Sequence, residues 1–187
     1  MKATLLFAGL LASGAQAEMA TYGIDPTHTF ASFEALHKGT SFIRGRFDRK
    51  EGSLQFDRAG RAGHAEITIE MNSISTGVPA LDRQMRSAAF FNAEEFPSAS
   101  FVGERFVFDG DKLSEVAGTL TLAGKTAPLT LKATQFNCYF SPLFKREVCG
   151  GDFEATLQRS QWGISYGLPA YAPDNVRLLV QVEAIRR

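Results

Sequence analysis

Apolar and polar residues alternate along most of this chain. Thr29, Ala31, Phe33 and Ala35 interleave with His28, Phe30, Ser32 and Glu34, and Ile43, Gly45 and Phe47 interleave with Arg44, Arg46 and Asp48. A period of two puts each set on one face of an antiparallel strand. The same period recurs in Ala65, Ile67, Ile69 and Met71, in Ala99, Phe101 and Gly103, in Phe153, Ala155 and Leu157, and from Val176 to Ala184. Leu120 and Leu122 face Leu129 and Leu131 across a hairpin tip at Gly124-Lys125, with Pro128 confined to a strand start or edge because it has no amide hydrogen. Asp109-Gly110-Asp111 has the composition of a hairpin turn.

One stretch breaks the alternation. Leu81, Met85 and Ala88/Ala89 recur at three and four, Pro79 suits a first helical turn, and Phe96-Pro97 marks the return to extended chain. The spacing predicts a short amphipathic helix, with Asp82 and Arg86 paired four apart, that buries Phe90 and Phe91 by covering one face or end of a sheet.

Eight or nine strands with one inserted helix make an all-β sandwich or closed antiparallel barrel. Long strands favour the barrel, because closure removes exposed edges. A barrel of about eight strands has an interior that side chains fill or that holds one small ligand. Here the inward set mixes Ala31, Ala35, Gly45, Ala65, Ala99 and Gly103 with Phe33, Phe47 and Phe101. That mixture fits an aromatic-walled tunnel for an elongated apolar ligand and fits a dry interdigitated core equally well. The 16 Phe against 4 Tyr and 1 Trp lean toward apolar contents.

At the N-terminus, Met1-Lys2, an apolar run from Ala3 to Ala12 and Ala15-Gln16-Ala17 form a secretory signal peptide pattern with a cut after Ala17, leaving 187 − 17 = 170 residues as one domain, 18–187. Export to the periplasm is the expected consequence. The cut leaves 19 Lys+Arg against 20 Asp+Glu, a balance that argues against a nucleic-acid binder. Arg44, Arg46, Arg49 and Lys50 form the densest basic run, read as a solvated strand edge with a weaker alternative of membrane attraction. Monomer and homodimer both remain open, as does transient contact with a membrane or membrane protein. Cys138 and Cys149, the only cysteines, are expected to form a disulfide stapling a long loop around Ser141-Pro142; they lack the C-x-x-C spacing of a redox pair or metal site.

Candidate chemistry is sparse, and no metal or cofactor is expected. His28 and His37 fall on opposite faces of one strand, and His64 is placed at a turn. Asp25 beside His28 is an acid–base pair or a fixed strand entry, and Ser160 after Arg159 lacks a nucleophile-elbow context. Arg86 and Arg159 are assigned to structural ion pairs, with a ligand head group as the alternative.

Several motifs nevertheless occur in a familiar order: Asp25-Pro26-Thr27-His28-Thr29, Arg44-Gly45-Arg46-Phe47, Ser73-Ile74-Ser75-Thr76, Asp82-x-x-Met85-Arg86-Ser87-x-x-Phe90-Phe91-Asn92, Phe96-Pro97-x-x-x-Phe101, Gly118-Thr119-Leu120-Thr121-Leu122-x-Gly124-Lys125-x-x-Pro128 and Arg159-Ser160-x-Trp162-Gly163. In these the chain resembles the YceI-like family of exported, lipocalin-like, polyisoprenoid-binding proteins. Thr29 and Met85 depart mildly from the expected serine and leucine, and the Cys138 to Cys149 segment is not common to every member. The resemblance implies a barrel whose tunnel takes an isoprenoid lipid, of polyprenyl or quinone type, for sequestration or transport. It supplies no catalytic set; the alternative is an enzyme acting on such a substrate through Asp25, His28 and His37. Tunnel lining is assigned to Phe33, His37, Phe47, Leu81, Met85, Phe90, Phe91, Phe101, Leu120 and Trp162.

Overall fold

A computed structural model describes residues 19–187; the expected signal peptide falls outside the described residues. Eleven strands follow in chain order: β1 Ala20–Ile24, β2 Phe30–His37, β3 Ser41–Phe47, β4 Lys50–Asp57, β5 Ala62–Glu70, β6 Ile74–Ser75, β7 Ser98–Asp109, β8 Lys112–Leu122, β9 Lys125–Ser141, β10 Arg146–Gln158 and β11 Asn175–Arg186. All pairings between them are antiparallel. The ring runs β1-β4-β5-β7-β8-β9-β10-β11 and closes through Tyr22↔Arg186 to Ile24↔Ala184.

Eight staves therefore make the barrel, as the alternation predicts. Three of them are broken. β1 and β2 lie end to end along the same edge of β11, and β3 and β4 answer them as the next stave, β2 on β3 and β1 on β4. β6 continues β5 after a short turn and pairs with β3. Splitting a long strand lets the wall bend without losing its inward period, so Ala31, Phe33, Gly45 and Phe47 all face the interior.

Gly45 is required by contact: a Cβ there would come within 2.6 Å of the Phe33 ring. Gly63 is required in the same way by Phe106, whose ring would lie 2.7 Å from an added Cβ. These two glycines let phenylalanine rings lie flat against the sheet.

α1, Pro79–Arg86, is the predicted helix, with proline in its first turn. Its anchor differs from the one expected. Asp82 accepts from the Thr76 amide at 2.7 Å and the Thr76 hydroxyl at 2.6 Å, while Arg86 Nη1 donates to the Asn72 carbonyl at 3.4 Å. A short carboxylate satisfies nearby orphan donors better than it reaches along an exposed helix face, so the Asp82–Arg86 pair gives way.

Two further local expectations change. Cys138 and Cys149 are bonded, but they face one another directly across β9 and β10, and the loop expected between them is strand up to Ser141 and from Arg146. The staple thus locks a register, and closing its short loop contributes about 2–4 kcal/mol. His64 lies within β5, its Nε2 2.9 Å from Glu66 Oε1. Pro128 lies inside β9 opposite Thr119, where β9 pairs with β8 alone, since its ladder with β10 stops at Lys132.

Candidate functional site

The barrel interior is divided into two halves. One is packed: Phe56 stacks with Phe108 at 6.3 Å and meets Phe106 and Phe136 at 6.0 and 5.5 Å, beside buried Tyr22, Cys149 and Ala184. The other encloses a cavity of about 480 Å³, within the ~300–1,000 Å³ usual for ligand pockets. Tunnel and dry core, the two readings of the inward residues, therefore occur in succession along one barrel axis. None of the clustered Phe56, Phe106, Phe108 and Phe136 lines the cavity, whose own phenylalanines are Phe30, Phe33, Phe47, Phe90, Phe91 and Phe101.

Strands supply most of the wall: Ala31, Phe33 and Ala35 from β2, Ile43 and Phe47 from β3, Ile67 and Ile69 from β5, Leu120 and Leu122 from β8, Leu129 and Leu131 from β9, and Leu178 and Val180 from β11. α1 adds Leu81, Gln84 and Met85, and the segment after it adds Phe90 and Phe91. Phe91 is held over the interior because its amide donates to the Met85 carbonyl at 3.0 Å and its ring meets Phe47 edge-on at 5.6 Å.

Nine of the residues assigned from sequence line this space: Phe33, His37, Phe47, Leu81, Met85, Phe90, Phe91, Phe101 and Leu120. Trp162 does not. It is 1% exposed, and its indole Nε1 donates to the Leu120 carbonyl at 3.0 Å. Its place is structural, in the short helical turn Arg159–Trp162 that packs on β9 beyond the end of the β9–β10 ladder. A buried indole must find an acceptor for its N–H, and that demand takes it behind the wall.

Polar lining groups gather mainly at the mouth. His37 ends β2, Gln84 is exposed on α1, and Tyr166 and Tyr171 are half exposed with stacked rings 6.5 Å apart. Phe90 packs on Tyr166 at 5.2 Å, and Lys38 sits 4.8 Å from the Tyr171 ring centre. Lys50 and Thr29 enter the wall near the breaks in the first two staves. Burial pulls the Lys50 ammonium below its ordinary pKa, and its Nζ rests 4.3 Å from the Phe30 ring centre.

Arg159 is the buried charge of the site. Its guanidinium donates to four carbonyls, those of Pro173, Ile164, Tyr166 and Ala172, at 3.2, 3.1, 2.9 and 3.2 Å. Burial lowers its pKa, and nearby Asp174 opposes that shift. The expected carboxylate pair is replaced by a carbonyl cage, because Asp174 is already committed to the Ser160 amide and hydroxyl at 2.8 and 2.6 Å. Arg159 thereby folds the 164–173 segment over the cavity mouth.

The remaining candidates are fixed elsewhere. In the basic run, Arg44, Arg46 and Arg49 pair with Glu34, Asp48 and Glu70 at 2.7, 2.7 and 2.6 Å. Asp25 accepts from the Thr27 amide and hydroxyl and meets His28 Nδ1 at 2.8 Å, locking the bend between β1 and β2. Burial pushes the Asp25 carboxyl up, but the Thr27 and His28 hydrogen bonds outweigh it and leave the pKa low. His28 is raised, first by its hydrogen bond to Asp25 and then by that charge.

A pH dependence follows from these directions. The His28 contribution is full below its unfolded pKa of about 6.5 and is lost as pH rises through the higher folded value. Asp25's contribution is present above about pH 3.9 and fades as pH falls through its lower folded value. In denaturant titrations the stability gap between the native chain and His28→Ala is expected to be widest near about pH 5.5 and to close by about pH 9. A gap independent of pH would contradict the assignment.

A family model for the YceI-like domain matches residues 22–184. A UPF0312 protein of Pseudomonas aeruginosa is 34% identical over 188 residues, covering 99% of this chain and 97% of that protein. Protein YceI of Salmonella agona is 33% identical over 193 residues, with both chains covered in full. A solved structure described as a polyisoprenoid binding domain from Saccharophagus degradans, implicated in plant cell wall breakdown, shares the fold with a TM-score of 0.62 at 18% identity, over 91% of this chain and all of that one. With its eight-stave barrel, its inserted helix and these matches across nearly its full length, the chain belongs to the YceI-like family.

Proposed function

We propose that the chain is an exported, non-catalytic binding protein that holds an isoprenoid lipid of polyprenyl or quinone type in its barrel, for sequestration or transport. The observation that carries this reading is the cavity in one half of the barrel, with an apolar wall rich in phenylalanine and polar side chains concentrated at its opening. Such a site takes a long apolar tail inward and leaves a polar head at the mouth beside His37, Gln84 and Tyr166. Tail burial at about 25 cal/mol per Å² provides the affinity, and no strong polar contact is needed along the tail. The Saccharophagus degradans domain, named for polyisoprenoid binding, supports the ligand class. The segment Met1 to Ala17 supports export.

Native mass spectrometry of protein recovered from an isoprenoid-producing host tests both parts. A stoichiometric adduct that releases an isoprenoid on denaturation, on a chain beginning at Glu18, is the expected result. Protein that arrives empty and takes up no added isoprenoid would overturn the ligand, and a chain retaining residues 1–17 would overturn the processing.

A further inference from the structure

The end of the barrel opposite the mouth carries a feature that lipid storage does not explain. Beyond the packed half, the β9–β10 hairpin presents Tyr139, Phe140, Leu143 and Phe144 with 47, 67, 82 and 39% of their surface exposed. Unpaired apolar side chains concentrated at one projecting turn are uncommon on a soluble surface. The neck beneath them is firm: Cys138 is bonded to Cys149, Val148 and Cys149 are 1% exposed, and the Tyr22 hydroxyl donates to Glu147 at 2.5 Å.

We propose that this hairpin tip is a wedge that docks on an anionic lipid bilayer. Charge favours that partner. Lys145 and Arg146 follow the apolar residues directly, and Arg186, whose carbonyl accepts from Arg146 Nη1 at 3.5 Å, adds a third exposed cation at the base. Glu147 is the only carboxylate between Cys138 and Cys149, and it is occupied by Tyr22. Apolar residues ahead of a basic collar match the order of acyl chains and anionic head groups in a bilayer interface. Shape favours it as well. A stable protein interface needs roughly 800 Å² on each partner, more than a narrow tip offers, whereas a fluid bilayer needs no complementary groove. Docked in this way, the protein turns its cavity mouth away from the membrane that holds it.

Cosedimentation of residues 18–187, which contain the whole closed barrel, with vesicles of phosphatidylglycerol and phosphatidylethanolamine tests the wedge apart from any cavity ligand. Binding is expected to be at least about tenfold weaker on phosphatidylcholine vesicles and to weaken with salt. Phe140→Ser with Leu143→Ser should lower binding at least about tenfold at an unchanged melting temperature, since both side chains are exposed. Lys145→Glu with Arg146→Glu should remove the preference for anionic lipid. Failure of the native protein to sediment, equal sedimentation of the serine variant, or a dimer that the serine substitutions dissolve without vesicle binding would each overturn the proposal.

Discussion

Replacing Ala35 with tryptophan is expected to empty the barrel without unfolding it. Ala35 lies on β2 opposite Ile43, and both line the cavity, so an indole at this position enters space that already exists. Denying a ligand about 110 Å² of contact at ~25 cal/mol per Å² costs ~2.7 kcal/mol, or a factor of about 100 in affinity. The fold should change by less than about 1 kcal/mol, because no packed neighbour has to move. Ala184→Trp provides the contrast. Ala184 is 1% exposed in the aromatic half, against Tyr22, Phe56 and Cys149, where the added volume should cost on the order of 3 kcal/mol or more. Isoprenoid titration and thermal melts of the two variants decide the matter. Equal destabilisation by both would mean that the cavity half is as full as the other, and unchanged affinity in Ala35→Trp would place the ligand elsewhere.

That asymmetry marks the limit of what the sequence shows. Alternation puts Phe33, Phe47, Phe56 and Phe101 on the inward face, but Phe106 and Phe136 are out of phase with Phe101 and Leu131 and turn inward only through register shifts between Gly103 and Arg105 and between Asp152 and Phe153. Period two specifies a face and says nothing of height along the barrel axis; only the stagger between staves divides the cavity half from the packed half. Phe30 shows a second limit. Its alternation assigns it to the outer face, yet it reaches the cavity edge where β1 gives way to β2, because the broken stave turns it toward Lys50. The helix was legible down to its lining pair, Leu81 and Met85, since a period of four within a run of twos has few other meanings. Arg159 was visible as a residue of interest but not as the centre of a carbonyl cage. Its partners are main-chain atoms, which carry no signature in side-chain identity, and the one weak signal was the Gly- and Pro-containing segment that must fold back on something.

The same cage yields the other large effect. Arg159→Met keeps a flexible apolar stem but removes the donors of four hydrogen bonds to the carbonyls of Ile164, Tyr166, Ala172 and Pro173. Hydrogen bonds to a charged donor contribute about 1.5–3 kcal/mol each, and water entering the opened segment recovers part of that. A net loss of about 3 kcal/mol is expected, a fall of roughly 6–12 °C in melting temperature for a chain of this size. Arg159→Lys should recover less than half, because one ammonium cannot reproduce a planar fork that reaches carbonyls on several sides. The loss should be local before it is global. Amides of Lys38 and Tyr171, which bond to Tyr171 and Gly167 carbonyls, should exchange faster with solvent than those of β7 and β8. Affinity for an isoprenoid should fall with them, since Tyr166 and Tyr171 form the rim. If Arg159→Met melts with the native protein and leaves these amides protected, the segment is held by its own packing, and the buried charge must be explained by what it offers a ligand head group.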